Sequence, residues 1–262
     1  MVVTTSRNPR PELVARALGL SRRLGLPFVP REGQSLEAVA RGAPALVVTR
    51  ERLELVSPAG RLFYHPGMAL RRIRTLAGGG SDPMVEAMAL RPGDRVLDCT
   101  LGLAQDALVA SWVVGEGGRV VGLESVGPIA ALVREGLRTW RVDDASIQAA
   151  MRRIRVVWAD HRRVLPRLPD RSFDVVYFDA MFREPVAASS WLVPLRPLAD
   201  PRPVSPEAVE HAARVARRRV VVKERRHSPE LVRLGLPALV AGAASPVAFG
   251  YLDVAGRAGD AG

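Results

Sequence analysis

The sequence predicts an α/β protein, a parallel sheet covered by helices on both faces over residues 81–255, preceded by a small α+β unit over residues 1–80. Three observations predict it. From Ser81 onward, short apolar runs alternate with stretches of helical periodicity. The runs VVYF and VVVK are nearly continuous in apolar residues, as strands buried on both faces must be. The 262 residues, 48% hydrophobic and 25% charged, supply a core for one large domain with an appendage.

In the first part, Leu13, Ala17, Leu20 and Leu24 recur at helical spacing between Pro11 and Gly25, with Gly25 as the stop. Ser35 to Arg41 reads as a short helix capped by Ser35. Ala45–Thr49 and Arg52–Val56 read as strands, followed by a turn at Ser57-Pro58-Ala59-Gly60. Phe63 to Met68 leads into a helix over Ala69–Leu76, which Gly78-Gly79-Gly80 breaks. In the second part, Ser81–Leu90 is expected as a helix capped by Ser81, and Pro92-Gly93-Asp94 as a turn. Strands follow at Arg95–Cys99, Arg119–Glu124, Ile154–Ala159, Phe173–Phe178, Arg219–Lys223 and, closing the sheet, Val247–Val254. Helices are expected at Asp106–Val114, Gly127–Trp140 and Ser205–Arg217, and residues 256–262 as a disordered tail.

The formal net charge is +11, and of the 38 Lys and Arg residues only Lys223 is lysine. Asn8 is the only asparagine. Such usage reads as the signature of a GC-rich genome and carries no information about fold. The charge itself favours a polyanionic partner. No apolar run approaches the roughly 18 residues of a membrane span, and MVVTTSRNPRPEL lacks the apolar stretch of a signal peptide. Cys99, the single cysteine, excludes an internal disulfide framework and a cysteine-built zinc site. A cytoplasmic protein with no membrane partner and no metal is expected, and the sequence leaves its oligomeric state open.

The stretch RVLDCTLGLAQDALVA, residues 95–110, carries the chemistry. A strand ends at Asp98, a loop carries Gly102, and a helix begins near Asp106. In open α/β sheets ligands sit beyond the carboxyl ends of the strands. Glu124 ends the next strand, where a carboxylate can accept two hydrogen bonds from ribose hydroxyls. The loop C-T-L-G-L-A-Q-D has one glycine, not the three of a dinucleotide fingerprint, and a carboxylate at Asp98 would repel a pyrophosphate while binding an ammonium. S-adenosylmethionine offers both a ribose and an amino group, and its sulfonium tolerates nearby negative charge. A similar turn that binds nothing is the alternative. A second site follows the strand in FDVVYFDAMF, residues 173–182. Asp179 would accept from an exocyclic amine, the Ala180 carbonyl could take its other hydrogen, and Phe182 could stack on a base. The plainer reading is a loop with a capping Asp and a core Phe.

The segments FYHPGMALRRIR, LDCTLGLAQDALVAS, GLESVGPIAALVREGL, FDVVYFDAMF and RVVVKERRHSPEL, between about Phe63 and Tyr251, together make the chain resemble the class I S-adenosylmethionine-dependent methyltransferases. Within them it is similar to the small-subunit ribosomal RNA guanine-N2 methyltransferase family and its Gram-positive relatives. The resemblance implies a Rossmann-like class I methyltransferase sheet and S-adenosylmethionine as cofactor. To the loop contacts at Asp98, Thr100 and Gly102 the resemblance adds cofactor contacts at Gln105 and Asp106 after the loop, at Glu124 and Ser125 for the ribose and at Asp160 and His161 beside the adenine, and it matches Asp179 to the acidic residue of the family's D-P-M-F motif. It also implies ribosomal RNA or the small ribosomal subunit as partner. Two positions depart from the family: Ala180 replaces a proline after the acidic residue, and Gln105 replaces an arginine at the helix start. Both leave cofactor binding intact and open the choice of substrate.

Lys223, in VVVKERRH, stands out in a chain that writes arginine elsewhere, and an ammonium there could touch phosphate or substrate. His65, Arg71, Arg72, Arg225 and Arg226 flank the same motifs and are the candidates for the substrate mouth and a phosphate-binding surface. Solvated surface residues are the alternative for each. His65, His161, His211 and His227 lack metal-ligand spacing. The function expected is methyl transfer to a guanine N2 amine of small-subunit ribosomal RNA. The alternatives are a methyltransferase acting on a small molecule or protein carboxylate, or a non-catalytic nucleotide-binding module.

Overall fold

A computed structural model describes residues 1–179, 198, 200–236, 238–242 and 245–254. Their elements, in chain order, are β1 (Val2–Thr5), α1 (Pro11–Leu24), α2 (Leu36–Ala40), β2 (Ala45–Val48), β3 (Leu53–Ser57), β4 (Gly60–Phe63), α3 (Gly67–Ala77) and α4 (Pro83–Met88). Then come β5 (Arg95–Asp98), α5 (Gln105–Val114), β6 (Arg119–Glu124), α6 (Gly127–Thr139), α7 (Ala145–Arg153), β7 (Ile154–Trp158) and α8 (His161–Val164). The last are β8 (Phe173–Phe178), α9 (Pro206–Val215), β9 (Ala216–Arg225), α10 (Glu230–Arg233), β10 (Ala238–Val240) and β11 (Val247–Asp253).

Two compact units result. The first comprises Met1–His65 and Val126–Trp140, and therefore includes α6. Its sheet runs β1-β2-β3-β4, with β1 parallel to β2 and the other pairs antiparallel. As expected, Gly25 adopts the left-handed conformation that ends α1, and the Ser35 side chain caps α2 by accepting from the Ala38 N–H. β1 was not expected, because four residues are too few to show a period; its pairing with β2 makes it a strand. On α6, Gly136 has no room for a side chain, since a Cβ there would stand 2.2 Å from Tyr64.

The second unit takes Pro66–Ser125, Arg141 onward to Asp179, and Asp200 onward. The division thus falls after His65 and not at Gly78-Gly79-Gly80. The reason is α3, whose first turn bonds to Gln105 through the Ala69 N–H and whose Arg72 pairs with Asp82 and Asp106. The sheet has the order β10-β11-β9-β8-β5-β6-β7. Its five strands from β9 to β7 are parallel, and β11 and β10 add antiparallel pairs at one edge. α4 is capped by Asp82, not Ser81: Asp82 is extended, precedes Pro83, and its Oδ1 accepts from the Met84 and Val85 N–H groups. α7, unread in the sequence, has the same device in Asp144.

Pleating then sorts the side chains. Leu97, Cys99, Val176, Phe178, Val220 and Val222 pack on one face with Ala208, Val209, Ala212 and Val215 of α9. The alternate residues, Asp98, Tyr177 and Lys223, and Glu124 next to Leu123, belong to the opposite face. One row of polar side chains therefore lines the carboxyl ends of the parallel strands.

Candidate active site

β5 delivers Asp98 to the sheet edge with only 3% of its surface exposed. Its Oδ1 accepts from the Thr100 N–H at 3.0 Å. Burial pushes this carboxyl well above its ordinary range, and the nearby charges of Asp106, Asp179 and Glu124 push the same way. The loop then turns through Gly102 at φ +50°, where a Cβ would meet nothing nearer than the Thr100 carbonyl at 3.9 Å. The Gly102 N–H donates to Glu124 Oε2 at 3.0 Å. Leu101 packs onto Gly122 of β6 so closely that a Cβ at Gly122 would lie 2.4 Å from it. The Gly102 bond to Glu124, the Leu101 N–H on the Leu123 carbonyl at 2.9 Å and the missing side chain at Gly122 thus hold the loop against β6.

Asp106 lies in the first turn of α5, where the helix dipole favours an anion. It is the hub of a buried network. The Tyr177 hydroxyl donates to its Oδ2 at 2.8 Å, the Lys223 ammonium donates to the same oxygen at 3.1 Å, and Arg72 pairs with Oδ1. Burial works against its charge, but Lys223 and Arg72 outweigh it and hold the carboxyl well below the usual range. Arg72 also takes both oxygens of Asp82, at 2.7 and 2.9 Å. Lys223 reaches onward to Asp179 Oδ2 at 2.8 Å. Burial, with help from the Asp106 charge and against the pull of Lys223, pushes Asp179 up to about 6. Its main-chain N–H donates to Thr100 Oγ1 at 2.5 Å, and 31% of its side chain remains exposed. Gln105 accepts from the Ala69 N–H at 3.0 Å and donates to the Leu103 carbonyl at 3.3 Å.

Further along the edge, Asp160 caps α8 and is held low, against burial, by its hydrogen bonds from Arg162. Arg162 and Arg202 both bridge Asp160 to Asp200. His161 is 8% exposed and packs edge-on against Phe178, with ring centroids 5.4 Å apart. Burial lowers its pKa, which favours the neutral imidazole, and among the described residues its Nε2 has no hydrogen-bond partner. The Ser125 carbonyl accepts from the indole N–H of Trp158 at 3.1 Å, and Trp158 is 47% exposed beside Glu124.

The structure thus brings Asp98, Thr100, Gly102, Gln105, Asp106, Glu124, Ser125 and Asp179 to one stretch of sheet edge, with Asp160 and His161 following β7. Ala180 and Phe182 lie outside the described residues. Arg72 and Lys223, expected at the substrate surface, are turned inward instead, because each is paired with two carboxylates. Arg71 is exposed, while Arg226 donates to the Gly242 carbonyl and the Arg225 N–H to Glu224. His65 belongs to the first unit, edge-on to Trp140 at 4.8 Å. The sequence reading missed Tyr177, Asp82 and Trp158. Counting back two residues from Asp179 along an alternating strand would have found Tyr177.

These residues fit S-adenosylmethionine. A buried carboxylate reached among the described residues by no cation suits an ammonium, a strand-end glutamate suits a ribose, and the glycine loop leaves room beside them. Among the described residues no group of His, Cys, Asp and Glu could hold a metal ion, and no helix is long and apolar enough to cross a membrane.

The comparisons with known proteins agree with this geometry. Residues 32–237 match the family described as "Putative SAM-dependent methyltransferase". The chain is 42% identical over 237 residues to "Uncharacterized protein YpiP" of Bacillus subtilis, covering 89% of this chain and 92% of that one. It is 30% identical over 230 residues to "Ribosomal RNA small subunit methyltransferase J" of Dechloromonas aromatica, covering 85% and 89%. A namesake from Pseudomonas fluorescens is 31% identical, with 84% and 83% covered. Among solved structures, the SAM-dependent methyltransferase NGO1261 from Neisseria gonorrhoeae aligns with a TM-score of 0.64 over 98% of this chain and 97% of its own, at 18% identity, a likeness of fold. The chain belongs to the S-adenosylmethionine-dependent methyltransferases and uses S-adenosylmethionine as its cofactor.

Proposed function

We propose that the protein methylates the exocyclic N2 amine of a guanine in small-subunit ribosomal RNA. The observation that carries this reading is Asp179, a carboxylate at the end of β8, tied to the Thr100 loop and open on one side. The names of the Dechloromonas and Pseudomonas relatives support the choice of RNA. When bound, S-adenosylmethionine supplies a methyl group activated by its sulfonium. Asp98 would hold the ammonium of its methionine part, Glu124 the ribose hydroxyls, and Asp160 with His161 the adenine. Asp179 would accept one amine hydrogen, the Ala180 carbonyl the other, and Phe182 would stack on the base, so that the nitrogen lone pair is directed at the methyl group. A carboxyl near 6 is ionised at neutral pH and still basic enough to take the proton that the methylated amine gives up.

The first unit and exposed arginines such as Arg71, with His65, Arg225 and Arg226, would contact the RNA. Such a substrate places the protein in the cytoplasm. The test is incubation with methyl-labelled S-adenosylmethionine and undermodified small ribosomal subunits. Label recovered as N2-methylguanosine, and lost in Asp179→Ala with the fold intact, is the expected result. Label in protein or small molecules would replace the reading with the alternative that Ala180, in place of proline, leaves open. RNA affinity should also fall steeply from low to moderate salt.

A further inference from the structure

Lys223 has an explanation that no phosphate contact requires. It is the only lysine among 38 basic Lys and Arg residues, and it is half-buried, with its ammonium bridging Asp106 at 3.1 Å and Asp179 at 2.8 Å. An ammonium is a compact charge that fits between two converging carboxylates, whereas a guanidinium is a wide planar fork. The two carboxylates are not equivalent. Asp106 also has Arg72 and the Tyr177 hydroxyl, whereas Lys223 is the only side-chain cation paired with Asp179 among the described residues. Among the described residues, the other groups around Asp179 are anionic or neutral: Asp106 on α5, Asp98 on β5 and Tyr177 on β8. Arg72 on α3 and Asp82 before α4 are reached only through Asp106, and Glu124 on β6 lies towards Asp98.

We propose that Lys223 is a positioning residue for the reaction: by bridging Asp106 and Asp179 it orients the Asp179 carboxylate and preserves its charge, so that it can accept from the substrate amine. The proposal rests on the reading of Asp179 given above. Without the ammonium, Asp106 and Asp179 face each other as like charges. Asp179, with fewer partners, then takes up a proton, accepts only weakly from an amine and can no longer take the proton that the amine gives up.

The experiment compares Lys223→Met and Lys223→Arg with the wild type in labelled methyl transfer from pH 5 to 9. The expected result for Lys223→Met is an acid limb moved up by about two pH units, a kcat at pH 7 down about tenfold, and a KM for S-adenosylmethionine little changed. Lys223→Arg keeps the wild-type limb but with a lower kcat, because it keeps the charge and loses the geometry. A uniform loss at every pH, or an unmoved limb in Lys223→Met, overturns the proposal. Carbon-13 titration of the Asp179 carboxyl, with S-adenosylhomocysteine bound, reads the same shift without any substrate. It therefore separates failure of this proposal from failure of the RNA reading. The wild type gives a reading that no unfolded variant can spoil: labelling lysine with nitrogen-15 yields one side-chain ammonium signal, which must move as Asp179 titrates. A signal that ignores that step overturns the proposal.

Discussion

The carboxyl edge of the second unit's sheet has two halves that treat negative charge in opposite ways. On the Asp98 side, a buried carboxylate meets a main-chain N–H and the fields of other acids. On the Asp106 side, Arg72, Lys223 and the Tyr177 hydroxyl compensate the charge from within the protein. A carboxylate that the fold has already neutralised serves as framework. One whose charge the fold leaves uncompensated is stabilised by the positive group of a ligand. In the proposed function, that difference separates the residues that hold the site together from those that would hold the cofactor.

The largest expected effect breaks the compensated half. Asp106→Ala leaves Arg72 and Lys223, both half-buried, with one partner missing, and should cost about 3 kcal/mol of stability in urea denaturation, the low end for a broken buried ion pair. A loss near zero would mean that the network carries no structural load. Asp98→Asn tests the other half. It should weaken S-adenosylmethionine binding about 10- to 100-fold by calorimetry, as expected for losing a charged hydrogen-bond partner, with no loss of apo-protein stability at neutral pH.

The pH dependence sharpens the contrast. Asp98 has a folded value above its ordinary 3.8, so its contribution to stability is full below that value and is lost as pH rises through the raised one. Asp106 has a lowered value, so its contribution is present above 3.8 and is lost as pH falls through the folded value. Stability profiles of Asp98→Asn and Asp106→Ala should therefore depart from the wild type with opposite slopes; parallel profiles would erase the distinction. Gly122→Ala drives a methyl group against Leu101 and should cost about 1–3 kcal/mol, with cofactor affinity falling as the loop shifts. The smallest effect is Gly102→Ala, about 1 kcal/mol for an alanine held at positive φ, since no atom blocks the new methyl group. Thermal melts would show a larger drop for Gly122→Ala than for Gly102→Ala.

Much of this edge was legible in the chain itself. Strand–loop–helix punctuation located Asp98, Gly102 and Asp106, and strand ends located Glu124 and Asp179, because each follows from local periodicity and turn chemistry. The cap of α4 was misplaced by one residue because Ser81 and Asp82 are both good caps. The choice between them follows from Asp82 being extended before Pro83 and from its second role with Arg72. The membership of α6 in the first unit was not legible, since an amphipathic helix does not say which unit its apolar stripe meets.

The sequence by itself determined the class of fold, the order of the parallel strands along the chain with the helices α5, α6 and α9 between them, and the acidic residues at the strand ends. Nearest-neighbour rules suffice for these: period, capping and the chemistry of turns. Only the tertiary structure decided that Arg72 and Lys223 turn inward, that Tyr177 serves Asp106, and that Lys223 joins Asp106 to Asp179. Those partners lie 34, 71 and 117 residues from Asp106 along the chain. Tyr177 and Lys223 meet there because parallel strands in register bring their carboxyl ends together and the pleat turns alternate side chains to the same face, while α3 brings Arg72.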